Sequence, residues 1–304
     1  MSELTGYLHP QYAQSLLEFG EPRELPKSGG WILERPIPGT PYKDAMGCYP
    51  FFACRDWFRL HEDLEDLGSK LVSLSLVTDP FCDCDQAYLR QCFKDFVIPF
   101  KEHFVADVSQ PVNNIVSQSH HRTVRRAMRN VEVVRCSEPV LLLDEWVELF
   151  ANLVKRYSIT GIRAFSRTAF AKQLSIPGMV MFKAVSQGVL LGLDLWYVHR
   201  DVAYGHLVAV SPLGYQLRAS YALKWFLIQH FADKVRWIDF GGGAGIMNNA
   251  TAGLSEFKRG WSNGTRTTYF CGRVFDKEKY TTICKQMNVA DTDYFPAYRR
   301  GEFC

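Results

Sequence analysis

Residues 235–275 read VRWIDFGGGAGIMNNATAGLSEFKRGWSNGTRTTYFCGRVF, and their order constrains the fold more than any other stretch of the chain. Val235 to Phe240 is an apolar run of strand length, and Gly241-Gly242-Gly243-Ala244-Gly245 breaks it, because glycine disfavours regular structure. A short helical stretch then carries Phe257-Lys258-Arg259-Gly260-Trp261, and Thr265 to Phe275 is β-branched and aromatic, a long strand. Strand, glycine break, helix and strand together call for a sheet with helices packed on it. Two phosphate-binding loops are excluded by spacing. A dinucleotide fingerprint needs a third glycine where Ile246 stands, and no Gly-Lys-Ser/Thr ends a P-loop here.

Upstream, three strands follow one another: Met179–Val185, Val189–Val198 and Val202–Val210, separated by turns at Ser186-Gln187-Gly188 and His199-Arg200-Asp201. Short turns between successive strands predict an antiparallel meander. After Ser211-Pro212-Leu213-Gly214-Tyr215 the apolar period changes to 3.6, predicting a helix from about Gln216 to Phe231 with Ala219, Leu223, Phe226, Leu227 and His230 on one side. Two more helices precede the meander. Trp146, Leu149, Phe150, Leu153 and Val154 form a core stripe from Asp144 onward, and Ser166 caps Arg167 to about Leu174.

Before these comes SQSHHRTVRRAMRN, residues 117–130. On a helix, Arg122, Arg125, Arg126 and Arg129 share one face, with Val124, Ala127, Met128 and Val131 largely on the other. Clustered guanidinium groups repel one another, so the stripe calls for an anionic partner, unless acidic neighbours in the same chain answer it.

In the first part of the chain, Gly29 to Pro36 is the strand-like piece of residues 1–45. Asp56 is placed to cap a helix whose Trp57, Leu60, Leu64 and Leu67 share a face. KLVSLSLVT, residues 70–78, alternates with a strand's period of two and stops at Asp79-Pro80. A helix follows from Gln86 to about Phe96, and Phe100 to Val108 reads as an edge-like strand.

The ordered pieces Asp239-Phe240-Gly241-Gly242, Gly253-Leu254 and Phe257-Lys258-Arg259-Gly260-Trp261 resemble the end of the acyltransferase domain of the FemABX and related GNAT-like families. There a DFGG strand end is followed by GL..FK.GFG and a last strand; Trp261 and Ser262 replace the usual Phe and Gly. The arginine-rich helix similarly resembles the RR..RRA segment that precedes that domain.

The resemblance implies an α/β protein of tandem GNAT-like domains, with mixed, mostly antiparallel sheets flanked by helices and a degenerate first copy. The expected divisions are a degenerate N-terminal domain over 1–116, an acyltransferase domain over 117–275, and a tail over 276–304 that packs back on the first domain. It also implies an N-acyltransferase whose cleft lies between the meander and the segment from Gly241 to Trp261. The acyl group would pass to an amine on a small molecule or peptide precursor. Aminoacyl-tRNA is the favoured co-substrate, with acyl-coenzyme A or an acyl carrier protein as the alternative and no tightly bound cofactor. A non-catalytic GNAT-like binding module is a further alternative.

GNAT enzymes carry Arg/Gln-x-x-Gly-x-Gly/Ala ahead of the corresponding helix to hold the coenzyme A pyrophosphate. Here Gln216-Leu217-Arg218-Ala219-Ser220-Tyr221-Ala222 keeps the Gln and the final Ala, but Ala219 and Tyr221 interrupt the loop. Lys258 matches the family lysine that faces the donor carbonyl and is the expected stabiliser of the oxyanion. His206, in the middle of its strand, is a candidate base, and Asp194 is a carboxylate inside an apolar strand. Arg122, Arg125, Arg126, Arg129, Gln216, Arg218 and Arg259 are expected to hold donor phosphates. Tyr204, Asp239, Gly241 and Gly242 are expected to line the acceptor side, with Asp239 bonding the amides of the glycine loop.

Net charge over the 304 residues is only +3, so any RNA contact must be a local patch. The nine cysteines are scattered and the N-terminus does not read as a signal peptide, which suits a reducing cytoplasm. Cys82-x-Cys84 has no partner pair for a zinc site, so Asp83 or Asp85 is expected to cap a helix there instead. No apolar run is long enough to span a membrane.

Overall fold

The computed structural model describes residues 3–68, 70–243, 252–289 and 292–302; Ala244 and Gly245 of the glycine break, and Cys304, lie outside them. In chain order the strands are β1 (Glu21–Leu25), β2 (Gly30–Pro36), β3 (Lys43–Gly47), β4 (Ser73–Val77), β5 (Phe96–Asp107), β6 (Glu132–Cys136), β7 (Met179–Ser186), β8 (Val189–His199), β9 (Val202–Val210), β10 (Trp237–Gly242) and β11 (Gly264–Val274). The α-helices are α1 (Pro10–Ser15), α2 (Leu60–Leu67), α3 (Gln86–Cys92), α4 (Val112–Ile115), α5 (Gln118–Ala127), α6 (Leu143–Tyr157), α7 (Arg167–Gln173), α8 (Pro212–Gln216), α9 (Ala219–Phe231), α10 (Ala252–Arg259) and α11 (Lys277–Gln286).

Two compact units emerge. One comprises Glu102–Ile159 and Ala164–Arg266 with the N-terminal residues to Gly6, the other Tyr7–Lys101, Thr160–Arg163 and the chain from Thr267 onward. The expected divisions at 116 and 275 follow chain order, whereas in the structure β5 is divided after Lys101 and β11 after Arg266.

The first unit holds the meander. Its strands run in the order β6-β7-β8-β9-β10-β5. All neighbours are antiparallel except β9 and β10, which are parallel. Gln187 (φ 48°) and Gly188 (φ 80°) both adopt the left-handed conformation between β7 and β8, as a two-residue hairpin turn matched to strand twist requires. A parallel strand needs a crossover, and α8 and α9 provide it between β9 and β10.

One sheet face is apolar, with Phe182, Trp196, Ala203 and Ile238 buried under Ala222, Leu223, Leu227 and Phe231 of α9. The other face packs Tyr197 near α7, where its hydroxyl donates to Gln173 O at 3.0 Å. Trp146 and Phe150 of α6 meet Phe170 of α7 in an aromatic cluster. The helix expected from Gln216 begins instead at Ala219, because Ser211 and Pro212 start the separate short helix α8. Leu153 and Val154 are half-buried and Met128 is exposed, so each apolar stripe is narrower than its periodicity suggests.

The second unit has the strand order β1-β2-β3-β4-β11. Its successive senses, antiparallel, antiparallel, parallel, antiparallel, repeat those of β7-β8-β9-β10-β5. β1 and β3 escape the sequence reading because Pro22 and Arg23, or Lys43 and Asp44, interrupt any alternation. In β4 both faces are covered and Ser73 and Ser75 are buried, so alternation there does not mark a solvent face. Asp56 accepts from the Phe58 amide and Leu60, Leu64 and Leu67 are buried, while Asp85 accepts from Tyr88 N and caps α3, which ends at Cys92. From the C-terminal part, Tyr298 bonds Ser73 Oγ at 2.7 Å and Arg299 bonds Asp44 at 2.9 Å. Asp44 also pairs with Arg35, whose Nη1 reaches Glu302 at 2.6 Å.

Candidate functional site

β9 and β10 are in register only from Val202–Tyr204 against Trp237–Asp239, although β9 continues to Val210 and β10 to Gly242. Two irregularities account for the parting. β9 bulges at His206, since Leu195 faces Leu207 while Trp196 faces Gly205. β10 shifts register against β5 between Asp239 and Gly242, where Gly241 takes φ 76°, a conformation open to glycine and costly for other residues. Beyond Tyr204 and Asp239 the sheet therefore opens at the C-terminal ends of two parallel strands, the usual ligand position in sheets with such a crossover.

Asp239 stands at the start of this opening. It is buried, its Oδ1 accepts from the Gly241 amide at 2.7 Å, and its Oδ2 lies 2.8 Å from His103 Nδ1 of β5. A carboxylate is an acceptor, so His103 donates to it from Nδ1. Tyr204 is opposite Asp239 in register. Sequence reasoning named Asp239, Tyr204, Gly241 and Gly242 and did not name His103, which the structure brings to Asp239. The available signal was period-two alternation: in FKEHFVAD, Phe104 and Ala106 are core, which turns His103 and Val105 to the other face.

α10 delivers Lys258, whose ammonium donates to Gly242 O at 2.7 Å. The helix is fixed from α5: His120 Nε2 donates to Phe257 O at 3.0 Å, and the Ser117 amide donates to Gly260 O at 2.9 Å. His120 is enclosed by Tyr221, Phe257 and Trp261, and burial lowers its pKa. The arginine-rich segment and the FKRGW segment are thus packed together.

His206 and Asp194 do not join this group. His206 Nε2 bonds Gln173 Oε1 at 3.1 Å, its ring packs on Phe165 and Tyr197, and burial pushes its pKa down to about 3. A histidine so reluctant to accept a proton is a weak base for an amine. Asp194, expected to be catalytic, is fully buried and bonds Lys224 of α9 at 2.7 Å, with that ammonium 4.7 Å from the Trp196 ring centroid. Its role there is to neutralise a buried charge.

Arg122, Arg125, Arg126 and Arg129 are all exposed, and among the described residues none of them is in an ion pair. The reading that acidic neighbours answer the stripe finds no such neighbour there. α5 ends at Ala127, so Arg129 lies beyond the helix. Arg259 sits over Phe104 at 5.6 Å, and Gln216 and Arg218 are exposed, Arg218 in the left-handed conformation (φ 59°) that begins α9. Ahead of α9, the Gly214 amide bonds Ser211 Oγ at 3.1 Å. Those of Tyr215, Leu217 and Arg218 bond the carbonyls of Ser211, Leu213 and Tyr215. These donors are already engaged within the chain. No group of His, Cys, Asp and Glu suited to a metal occurs among the described residues.

A parallel pair opening within an otherwise antiparallel meander, with its crossover through α8 and α9, is the arrangement of a GNAT-like fold. Residues 118–259 match the model of the Acetyltransferase (GNAT) domain, and the protein is an acyltransferase. Enzymes with this domain draw their acyl group from acyl-coenzyme A as a co-substrate. No curated protein matches the chain in sequence. Among solved structures, FemX superposes with TM-score 0.67 at 13% identity, covering 93% of this chain and 96% of that one. The C-terminal domain of a putative lysylphosphatidylglycerol synthetase from Agrobacterium fabrum gives 0.63 at 13% identity, with 91% of each chain covered. L-PGS from Bacillus licheniformis gives 0.57 at 13% identity, covering 90% of this chain and 94% of that one. At such identity these likenesses concern the fold.

Proposed function

We propose that the protein transfers an aminoacyl group from an aminoacyl-tRNA to an amine. The observation that carries the donor assignment is the folding of the β9–α9 connection into α8. A coenzyme A pyrophosphate is held by unengaged amides at a helix start. In this chain the amides of Gly214, Tyr215, Leu217 and Arg218 are bonded internally. The four exposed guanidinium groups of the Arg122 to Arg129 stripe suit the phosphates of a polyanionic donor instead.

In this reading the neutral acceptor amine attacks the ester carbonyl of the donor. His103 Nε2 takes the amine's proton, and Asp239 stabilises the resulting imidazolium through Nδ1. Lys258 has three ammonium protons, one directed to Gly242 O. Another is directed to the developing oxyanion, a contribution of roughly 3–4 kcal/mol. Collapse of the tetrahedral intermediate forms the amide and releases the terminal ribose hydroxyl, which recovers the proton from His103. Tyr204 and Gly241 line the acceptor side.

A GNAT match over residues 118–259 favours a second reading in which acyl-coenzyme A is the donor. Incubation of the purified protein with a charged tRNA mixture, and separately with acyl-coenzyme A compounds, decides between them by mass spectrometry. Saturable loss of the aminoacyl group from one tRNA, weakened by Arg125→Glu and Arg126→Glu, is the expected result. Turnover of an acyl-coenzyme A with no effect of those substitutions would replace this donor.

A further inference from the structure

The end of α6 and the neighbouring α8 leave two tyrosines uncovered. Tyr157, the last residue of α6, is 58% exposed, and Tyr215 of α8 is 39% exposed. Arg156 lies between them, its guanidinium 4.4 Å from the Tyr215 ring centroid and 5.6 Å from that of Tyr157. Leu213, two residues before Tyr215 in α8, is 42% exposed. Lys155, Arg156 and Arg218 are exposed as well, and among the described residues none of these three is in an ion pair.

Burying large aromatic rings normally stabilises a fold, so rings left in water beside unpaired cations ask for an outside partner. Aromatic faces stack on unpaired bases, and cations follow the phosphates between them; this pairing is how proteins hold single-stranded nucleic acid without reading its sequence. The position agrees with that role. α6 packs on β8 and β9, and α8 begins directly after Val210, at the end of β9 that lies beyond its parting from β10. A donor whose ester is held at Asp239 and His103 would pass this end of the strand.

We infer that Tyr157, Tyr215 and Arg156 form a stacking platform for the unpaired terminal bases of the RNA donor, with Lys155 and Arg218 beside the phosphates. The inference rests on the aminoacyl-tRNA reading and adds to it a base-binding site separate from the arginine stripe of α5.

The test is fluorescence anisotropy with a short labelled single-stranded RNA ending in CCA, titrated with the full-length protein at two salt concentrations. The exposed positions tolerate substitution, and the pair Tyr157→Leu with Tyr215→Leu keeps apolar bulk while removing the aromatic faces. That pair should weaken binding by at least about tenfold, while Tyr157→Phe with Tyr215→Phe leaves it within about twofold. Lys155→Ala should reduce the dependence of log affinity on log salt by about 0.7, one phosphate contact on a single strand. Wild-type affinity in the leucine variant overturns the platform while leaving the donor reading intact. Equal losses in the leucine and phenylalanine variants also overturn it, since they point to hydroxyl contacts with another partner. No RNA binding by the wild type, with coenzyme A binding that the leucine pair weakens, overturns both readings and assigns the surface to the coenzyme's adenine.

Discussion

Gly260 sets its bare Cα against the ring of His120, and a methyl group there would lie 2.2 Å from the ring's Cε1 and 2.3 Å from its Nε2. The ring cannot yield easily. It donates to Phe257 O and is packed by Tyr221 and Trp261. This contact fixes the helix that carries Lys258. Gly260→Ala should cost about 1–3 kcal/mol of stability by overpacking. Urea unfolding checks it, and adding His120→Ala should restore part of the loss by vacating the space.

The Asp194–Lys224 pair supports a structural prediction. Both groups are buried, and burial pushes the Asp194 carboxyl up while Lys224 draws it back. Lys224→Met leaves a buried carboxylate without its cation and should destabilise the first unit by about 3–5 kcal/mol. The double variant with Asp194→Leu should be less destabilised than Lys224→Met alone, because it removes the stranded charge. A double variant as unstable as Lys224→Met in urea would show that packing, rather than charge, sets the cost.

Acid should weaken the fold through His206. Burial lowers its folded pKa from 6.5 to about 3. Between those values the unfolded chain holds a proton that the folded chain rejects, so stability falls as pH drops from about 6.5 toward 3. The slope for one such group approaches 1.4 kcal/mol per pH unit at most, about one proton's worth. His120 and His199 are also lowered by burial and act in the same direction. Urea midpoints across pH 7 to 5 should show a shallower decline in His206→Gln than in wild type.

The meander was legible because β7, β8 and β9 each have an apolar face of period two and are joined by short turns. The glycine break was legible only in part: Gly241 and Gly242 still belong to β10, and Ala244 and Gly245 lie outside the described residues. The pairing of β5 and β11 was not legible. The runs Phe100 to Val108 and Thr265 to Phe275 announce two strands, the first of them four residues short of where β5 begins, but cannot say that β5 would pair with β10 while β11 borders β4, since pairing is settled by tertiary contacts. His103 was lost for the same reason. Its importance comes from Asp239, 136 residues away in sequence. His206 and Asp194 drew attention as polar residues inside apolar strands, and each proves to have a buried polar partner, Gln173 or Lys224. A polar residue within an apolar strand shows that a partner exists without saying whether that partner is substrate or protein.

The Asp239–His103 contact yields the sharpest prediction about activity. Asp239→Asn is nearly isosteric, and its carbonyl oxygen can still accept from the Gly241 amide. Its amide nitrogen then faces His103 Nδ1 and donates, which places the imidazole proton on Nε2 and removes the base. Transfer should fall by about a hundred- to ten-thousandfold, with His103→Gln falling comparably and the double variant no further, as expected for groups acting as one unit. Lys258→Met should cost about a hundred- to a thousandfold through the oxyanion. The measurement is single-turnover acyl transfer under saturating donor, with urea midpoints run alongside. Slow transfer at unchanged stability and unchanged donor affinity assigns the loss to chemistry. Full activity in Asp239→Asn would show that the imidazole tautomer does not matter and that His103 only braces β10.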